Sequence, residues 1–438
     1  MEAFLVFFLT LLFLLILGYT QKLPLFVTLL LGGLFFGLLA GAGPDATLQW
    51  LASGLGTMFG AFAIAILSGI VIVRLLSDQG LIAVMAAGIQ AKIKNARASS
   101  GILSFILAVP ITCPVVTYAM LSPALKKIEP DPDRSKVLLY VAAVCGIVSY
   151  ILIFPTPVTQ PLVAAFAPQV FGGSFDLVTV PLALCLLCVV IAAAGRWIPD
   201  RRTGAEPLAA GTPGLDGHVP VPLSLHLRAW APFIAIVAAI PIGHIVLGLS
   251  HAAILQFVML TGLLVALVLA PPEIRFEGFA GGITTAGMVV FDICAAGAIG
   301  TVMVKSGLAK SALATLIPIL PDILIPFIIA VILATAQGSR IVTAVVSAQV
   351  LGATALVQEI NPLPMILMVV AGTCFFCHVT DPFFHLVKKT TGDDTRTVIR
   401  NYTVPLACIG LALYIVALGL AAFVFPYHED AALAMMGM

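Results

Sequence analysis

A chain of 438 residues that is 61% hydrophobic and 9% charged, with a mean hydropathy of +1.16, lies far from soluble domains, in which roughly a quarter of residues are charged. Its net charge of +1 builds no basic face and gives no basis for a nucleic-acid partner. Apolar stretches of about 20 residues recur where a membrane β-barrel would alternate over about 10, so the fold class is an all-α polytopic membrane protein whose solvent is the lipid bilayer.

Met1-Glu2-Ala3-Phe4 has neither a basic n-region nor a small-residue cleavage site, so residues 3 to 19 read as a retained first helix. Further spans are expected at 24–42, 53–76, 135–170, 176–197, 229–249, 251–270, 281–304, 361–387 and 402–425. Two other apolar stretches, 99–125 and 321–356, are too long for one span. Polar, Pro or Gly residues break them at the centre: Pro110, Thr112, Cys113 and Pro114 in one, Gln337, Gly338, Ser339 and Arg340 in the other. Each suits a re-entrant hairpin. The spans at 135–170 and 361–387 are themselves interrupted. Phe154-Pro155-Thr156-Pro157-Val158-Thr159-Gln160-Pro161 cannot be continuous helix, because each proline removes a donor and clashes one turn back. In Cys377-His378-Val379-Thr380-Asp381-Pro382, the proline disfavours helix at Asp381.

The basic residues test this layout. With the N-terminus outside and both hairpins returning to their own side, every Lys and Arg falls inside except Lys305 and Lys310, which are outside, and Arg340, which is within the membrane. Both termini are then outside. The polar, Gly- and Pro-rich segment 198–227 reads as a cytoplasmic linker between a first repeat, 1–197, and a second, 228–438.

The halves repeat. Gly69-Ile-Val-Ile-Val-Arg74 matches Gly300-Thr-Val-Met-Val-Lys305, and Thr112-Cys113-Pro114-Val115-Val116-Thr117 matches Gly338-Ser339-Arg340-Ile341-Val342-Thr343. The same spacing separates Cys113 from Pro155 and Ser339 from Asp381. Five transmembrane helices plus one re-entrant hairpin per half would make the repeats inverted, with discontinuous helices meeting at the midplane.

At these residues the chain resembles the gluconate:proton symporter (GntP) family of the ion transporter superfamily. Ala336-Gln337-Gly338-Ser339 is similar to that family's Ala-Gln-Gly-Ser hairpin, and Cys377-His378-Val379-Thr380-Asp381 to its Ser-His-Val-Asn-Asp break, followed by Leu386-Val387-Lys388. The resemblance covers most of the chain. It implies uptake of sugar acids or other small organic anions across a bacterial inner membrane, with proton coupling, alternating access and a homodimeric build. The chain also departs from the family pattern. Ile111-Thr112-Cys113-Pro114-Val115 replaces an acidic Phe-Phe-Asp-Val-Gly tip, and Phe154 to Thr159 replaces a Pro-Pro-His-Pro-Gly-Pro break, while Arg340 and Asp292 appear in the second half. That exchange of negative for positive charge points to a smaller or more highly charged anion than gluconate.

A charge at the depth of Arg340 is expensive unless it faces protein, water or an anion. Its planar fork can hold a carboxylate or sulfonate, or it can pair structurally with Asp292 or Asp381. Gln337, Gly338 and Ser339, with Thr112, Cys113, Thr156 and Thr159 from the first half and His378 and Thr380 from the second break, are the other candidate substrate-binding residues. The hydroxyl and amide groups among them can equally satisfy the freed backbone of the breaks. Asp381, Asp292 and His378 are candidate proton carriers. A sodium-coupled carrier of the same fold is the nearest alternative, and a uniporter or channel the next. The eight cysteines all lie in apolar segments. The pairs Cys185/Cys188 and Cys374/Cys377 lack zinc-site surroundings, so no metal, cofactor or enzymatic chemistry is expected.

Overall fold

The computed structural model describes residues 3–20, 23–93, 95–167, 172–197, 222–307, 320–375 and 381–424, and all their regular structure is helical. In chain order the first half contains α1 (Ala3–Thr20), α2 (Leu25–Leu39), α3 (Pro44–Asp78), α4 (Leu81–Lys92), α5 (Ala96–Ile111), α6 (Pro114–Ile128), α7 (Pro132–Leu152), α8 (Thr159–Phe166) and α9 (Gly172–Trp197). The second half contains α10 (Leu223–Val246), α11 (His251–Leu269), α12 (Pro272–Lys305), α13 (Ile325–Gln337), α14 (Arg340–Gly352), α15 (Leu356–Glu359), α16 (Pro362–Gly372), α17 (Pro382–Thr391) and α18 (Thr395–Val424). Six of the described helices are long and apolar enough to cross a membrane.

Local sequence explains most boundaries. The Asn95 side chain accepts from the amides of Arg97 (3.0 Å) and Ala98 (3.3 Å) and starts α5. Asp131 does the same for α7, accepting from Asp133 at 2.9 Å, with Pro132 set in the first helical position. Asp381 followed by Pro382 repeats the device at α17. Several starts differ from expectation: α10, α12 and α18 begin at Leu223, Pro272 and Thr395, ahead of the expected 229, 281 and 402. Helix α3 begins at Pro44, not near residue 53, since Gly43-Pro44-Asp45 supplies a helix start with an early acidic residue. Helix α4 lies between the expected spans; its Leu81, Ile82, Met85 and Ala86 are buried, yet at about 18 Å it is too short to register as a span.

Among the described helices, α3 and α12 pack together most extensively. A Cβ on Gly54 would lie 2.5 Å from the Gly297 carbonyl oxygen, and one on Gly297 would lie 3.0 Å from the Gly54 carbonyl oxygen, so the two backbones touch. Small residues allow this approach where lipid supplies no hydrophobic drive between helices. Around that pair the packing partners correspond between halves: α2 lies on α12 and α11 on α3; α5 packs on α7 and α13 on α16; α7 packs on α9 and α16 on α18. The halves also exchange contacts, α8 packing on α14 and α17 on α6. On one side Lys126 Nζ donates to the Thr390 carbonyl (2.8 Å), and both Lys136 (2.9 Å) and the Tyr140 hydroxyl (2.8 Å) reach Asp393.

Burial separates core from periphery. Helices α7 and α16 are sheathed by protein along nearly their whole length. By contrast α9, α10 and α18 expose Leu177, Val237, Ile245 and Phe423, the pattern of helices whose outer face meets acyl chains.

Candidate functional site

The pairs α5–α6 and α13–α14 are helical hairpins with the same tip. Thr112 (φ 56°) and Gly338 (φ 65°) each close the first arm in the left-handed conformation. Cys113 and Ser339 then take extended N-cap positions. One turn on, Thr117 donates to the Cys113 carbonyl and Thr343 to the Ser339 carbonyl, each at 2.9 Å. Pro114 and Arg340 are therefore equivalent first helical residues. The Ser339 hydroxyl additionally accepts from the Val342 amide at 3.4 Å.

Arg340 is 8% exposed, and Asp381 and Tyr402, beyond the second break, face it. Nη1 lies 3.9 Å from Asp381 Oδ2, and Nη2 donates to the Tyr402 hydroxyl at 3.4 Å. Tyr402 in turn donates to Asp381 Oδ2 at 3.2 Å, while Asp381 Oδ1 accepts from the Phe383 amide at 2.9 Å. A hairpin tip, the start of α17 and the first turns of α18 thus meet in one buried triad that brings together a guanidinium, a phenol and a carboxyl group. Cys374, at the end of α16, and Tyr150, at the end of α7, lie within electrostatic reach of Arg340, and Cys113 lies within reach of Tyr150.

The remaining expected site residues fall in different places. Thr156 and Thr159 are fully buried and bond each other reciprocally, amide to hydroxyl at 3.1 and 3.2 Å. Thr156 Oγ1 also donates to the Tyr150 carbonyl (2.8 Å) and Thr159 Oγ1 to the Ile153 carbonyl (3.3 Å). They stitch the first break, taking up carbonyls that its prolines free. Thr112 donates to its neighbour, the Ile111 carbonyl, at 2.7 Å. Asp292 stands apart from the triad: it accepts from the Phe26 amide and so caps α2, whose N-terminal Pro24 offers no side-chain cap. His378 and Thr380 lie outside the described residues, as does the side chain of Gln337.

Tyr150, Tyr402 and Asp176 were not evident as site or break residues in sequence. Asp176, on α9, accepts from the Phe154 amide at 2.9 Å and so ties the first break to α9. No group of three or more His, Cys, Asp or Glu able to hold a metal ion occurs among the described residues. A cavity of about 190 Å³ between α7, α9 and α18 is lined by apolar residues such as Val144, Leu186 and Ile409, and Arg340 does not line it.

Comparison with known proteins assigns this architecture. The model of the GntP family permeases matches residues 3–212 and 242–424. The chain belongs to the GntP permease family. It is 25% identical over 418 residues to an uncharacterized permease of Haemophilus influenzae, covering 87% of this chain and 84% of that one. It is 24% identical over 442 residues to the inner membrane permease YgbN of Escherichia coli, covering 92% and 95%. The fold is similar to the crystal structure of the YdaH transporter of Alcanivorax borkumensis, with a TM-score of 0.60 and 13% identity over 87% of this chain and 90% of that one. This GntP permease is therefore a multi-pass membrane transporter and not an enzyme.

Proposed function

We propose that the chain is a secondary active transporter that imports a small organic anion, such as a sugar acid or hydroxy acid, together with a proton across the bacterial inner membrane. The observation that carries this reading is the buried Arg340–Tyr402–Asp381 triad at the junction of a hairpin tip and a helix break. Arg340 is the anion anchor, its guanidinium offering two parallel donors to a carboxylate. Asp381 is the proton carrier. When a substrate carboxylate takes over the guanidinium, a buried Asp381 without its counter-ion is strongly unfavourable, and a proton removes that charge. Anion and proton then enter as one coupled event.

In this reading α5–α6 and α13–α14 are re-entrant hairpins, since arms of 13 to 16 residues fall short of the roughly 20 needed to span. The two halves are inverted repeats with both termini outside, and the permease works as a homodimer by alternating access.

Uptake by proteoliposomes under an inward proton gradient tests the proposal. Arg340→Gln should abolish saturable uptake of every acid the wild type carries. A protonophore should collapse accumulation, and in Asp381→Asn accumulation should no longer follow the pH gradient. Uptake that ignores the proton gradient and requires sodium would sink the proton reading and leave the anion anchor standing.

A further inference from the structure

Phe383 supports the triad in two ways. Its amide donates to Asp381 Oδ1 at 2.9 Å, and its ring stands edge-on to that of Tyr402, with centroids 5.6 Å apart and planes at 70°. The Tyr402 hydroxyl meets both Arg340 (3.4 Å) and Asp381 Oδ2 (3.2 Å), so Phe383 holds one carboxylate oxygen directly and the other through its neighbour. The same ring meets Tyr118 in a second edge-on contact, at 5.3 Å and 69°. Tyr118 lies in the second turn of α6, the second arm of the first hairpin. All three rings are buried, none more than 1% exposed.

Aromatic rings attract one another edge to face at separations of about 4.5–7 Å, so the seat of Tyr402 depends on Phe383 and, through it, on Tyr118. The backbone leaves Phe383 little freedom of its own, because Asp381 caps its amide and Pro382 fixes the φ before it. A chain of ring contacts therefore joins the first hairpin, built by the first half of the sequence, to a site built by the second. Resting on the reading of Arg340 as the anion anchor, we propose that Phe383 is a positioning residue for anion binding, its ring carrying the seating of the first hairpin at Tyr118 to the Tyr402 hydroxyl that orients Arg340. With α6 docked, Tyr402 keeps the guanidinium in place for a carboxylate. With α6 withdrawn, Tyr402 loses that support and the anchor its orientation. Linkage makes the effect mutual, so a bound anion favours the docked hairpin.

Calorimetric binding of gluconate, glycerate and lactate to the purified permease tests this, with the variants compared on whichever acid binds most tightly. Tyr118→Leu and Phe383→Leu should each weaken that affinity about two- to tenfold, the scale of one aromatic pair, with the number of sites per folded protein unchanged. Tyr118→Phe keeps the ring and should keep the wild-type affinity. The double variant Tyr118→Leu/Phe383→Leu should bind no more weakly than Phe383→Leu, because the contact through which Tyr118 acts is already gone. A residue that only supports the fold would lower the melting temperature and the number of competent sites, and leave the affinity of the folded fraction as it was. That result at Phe383 would overturn the proposal, as would equal losses in Tyr118→Phe and Tyr118→Leu, or fully additive losses in the double variant. If Phe383→Leu gives no monodisperse size-exclusion profile, the two Tyr118 variants decide between these outcomes. Arg340→Gln binding as tightly as the wild type would overturn the anchor instead, and a wild type that binds none of the three acids would overturn the anchor and the relay together.

Discussion

Arg340 and Asp381 illustrate how a charge survives in the interior of a membrane protein. At 3.9 Å the direct approach is loose, and Tyr402 closes it by accepting from the arginine and donating to the carboxylate. Such a pair contributes little relative to apolar residues of the same volume, but loss of one member strands a buried charge at a cost of about 3–5 kcal/mol. Thermal unfolding in detergent should accordingly show Arg340→Leu destabilised on that scale. The double variant Arg340→Leu/Asp381→Asn should recover most of the loss, because asparagine still caps α17 and carries no charge. A double variant as unstable as the single one would mean that the arginine contributes through packing and not through its charge. Arg340 and Asp381 were legible in sequence because a charge in an apolar run stands out. Tyr150 and Tyr402 were not, because phenols are common at helix ends of membrane proteins and nothing in their spacing marks them. Thr156 and Thr159 carried a signal that pointed both ways, since a hydroxyl beside a proline-rich break serves ligand or backbone equally. In the structure both hydroxyls bond backbone groups of the break.

Among the elements, the breaks and tips were legible because proline and glycine act on the backbone directly. Pro155 and Pro157 stop α7, and Gly338 supplies the left-handed residue that closes the second hairpin. The matched hydrogen bonds of Thr117 and Thr343 show that Thr112-Cys113 and Gly338-Ser339 solve one geometric problem with different residues. Helix α4 escaped notice because a 12-residue apolar helix resembles an ordinary loop flank under a 20-residue criterion. The α3–α12 crossing was hidden too, since Gly54 and Gly297 have meaning only once their backbones are placed together. Their contact makes a sharp demand. Alanine at Gly54 would force a methyl to within 2.5 Å of the Gly297 carbonyl oxygen, and neither backbone can yield without moving a helix of more than 30 residues. Gly54→Ala should therefore destabilise the permease by about 1–3 kcal/mol, the usual cost of overpacking. Gly56→Ala, where a Cβ meets open space, should be neutral or slightly stabilising in the same thermal assay.

For the whole molecule, α3 meets the backbone of α12 at Gly54 and the backbone of the first hairpin's tip at Gly69, where a Cβ would lie 2.9 Å from the Pro110 and Ile111 carbonyl oxygens. The triad draws on α14, α17 and α18. With Arg340 only 8% exposed, no anion reaches it unless those elements separate on one side. In the proposed alternating access, hairpin and scaffold shift against each other, as packed bodies do in hinge and shear motions. Nitroxide labels at Ile106 on α5 and Phe276 on α12, both exposed positions outside the triad, would report that shift. Their distance distribution should move when a transported acid is added at low pH, and stay where it was in Arg340→Gln. A single unmoving distance in the wild type, under conditions where the same sample transports, would rule out displacement of the first hairpin against the α3–α12 scaffold as the step that exposes the site.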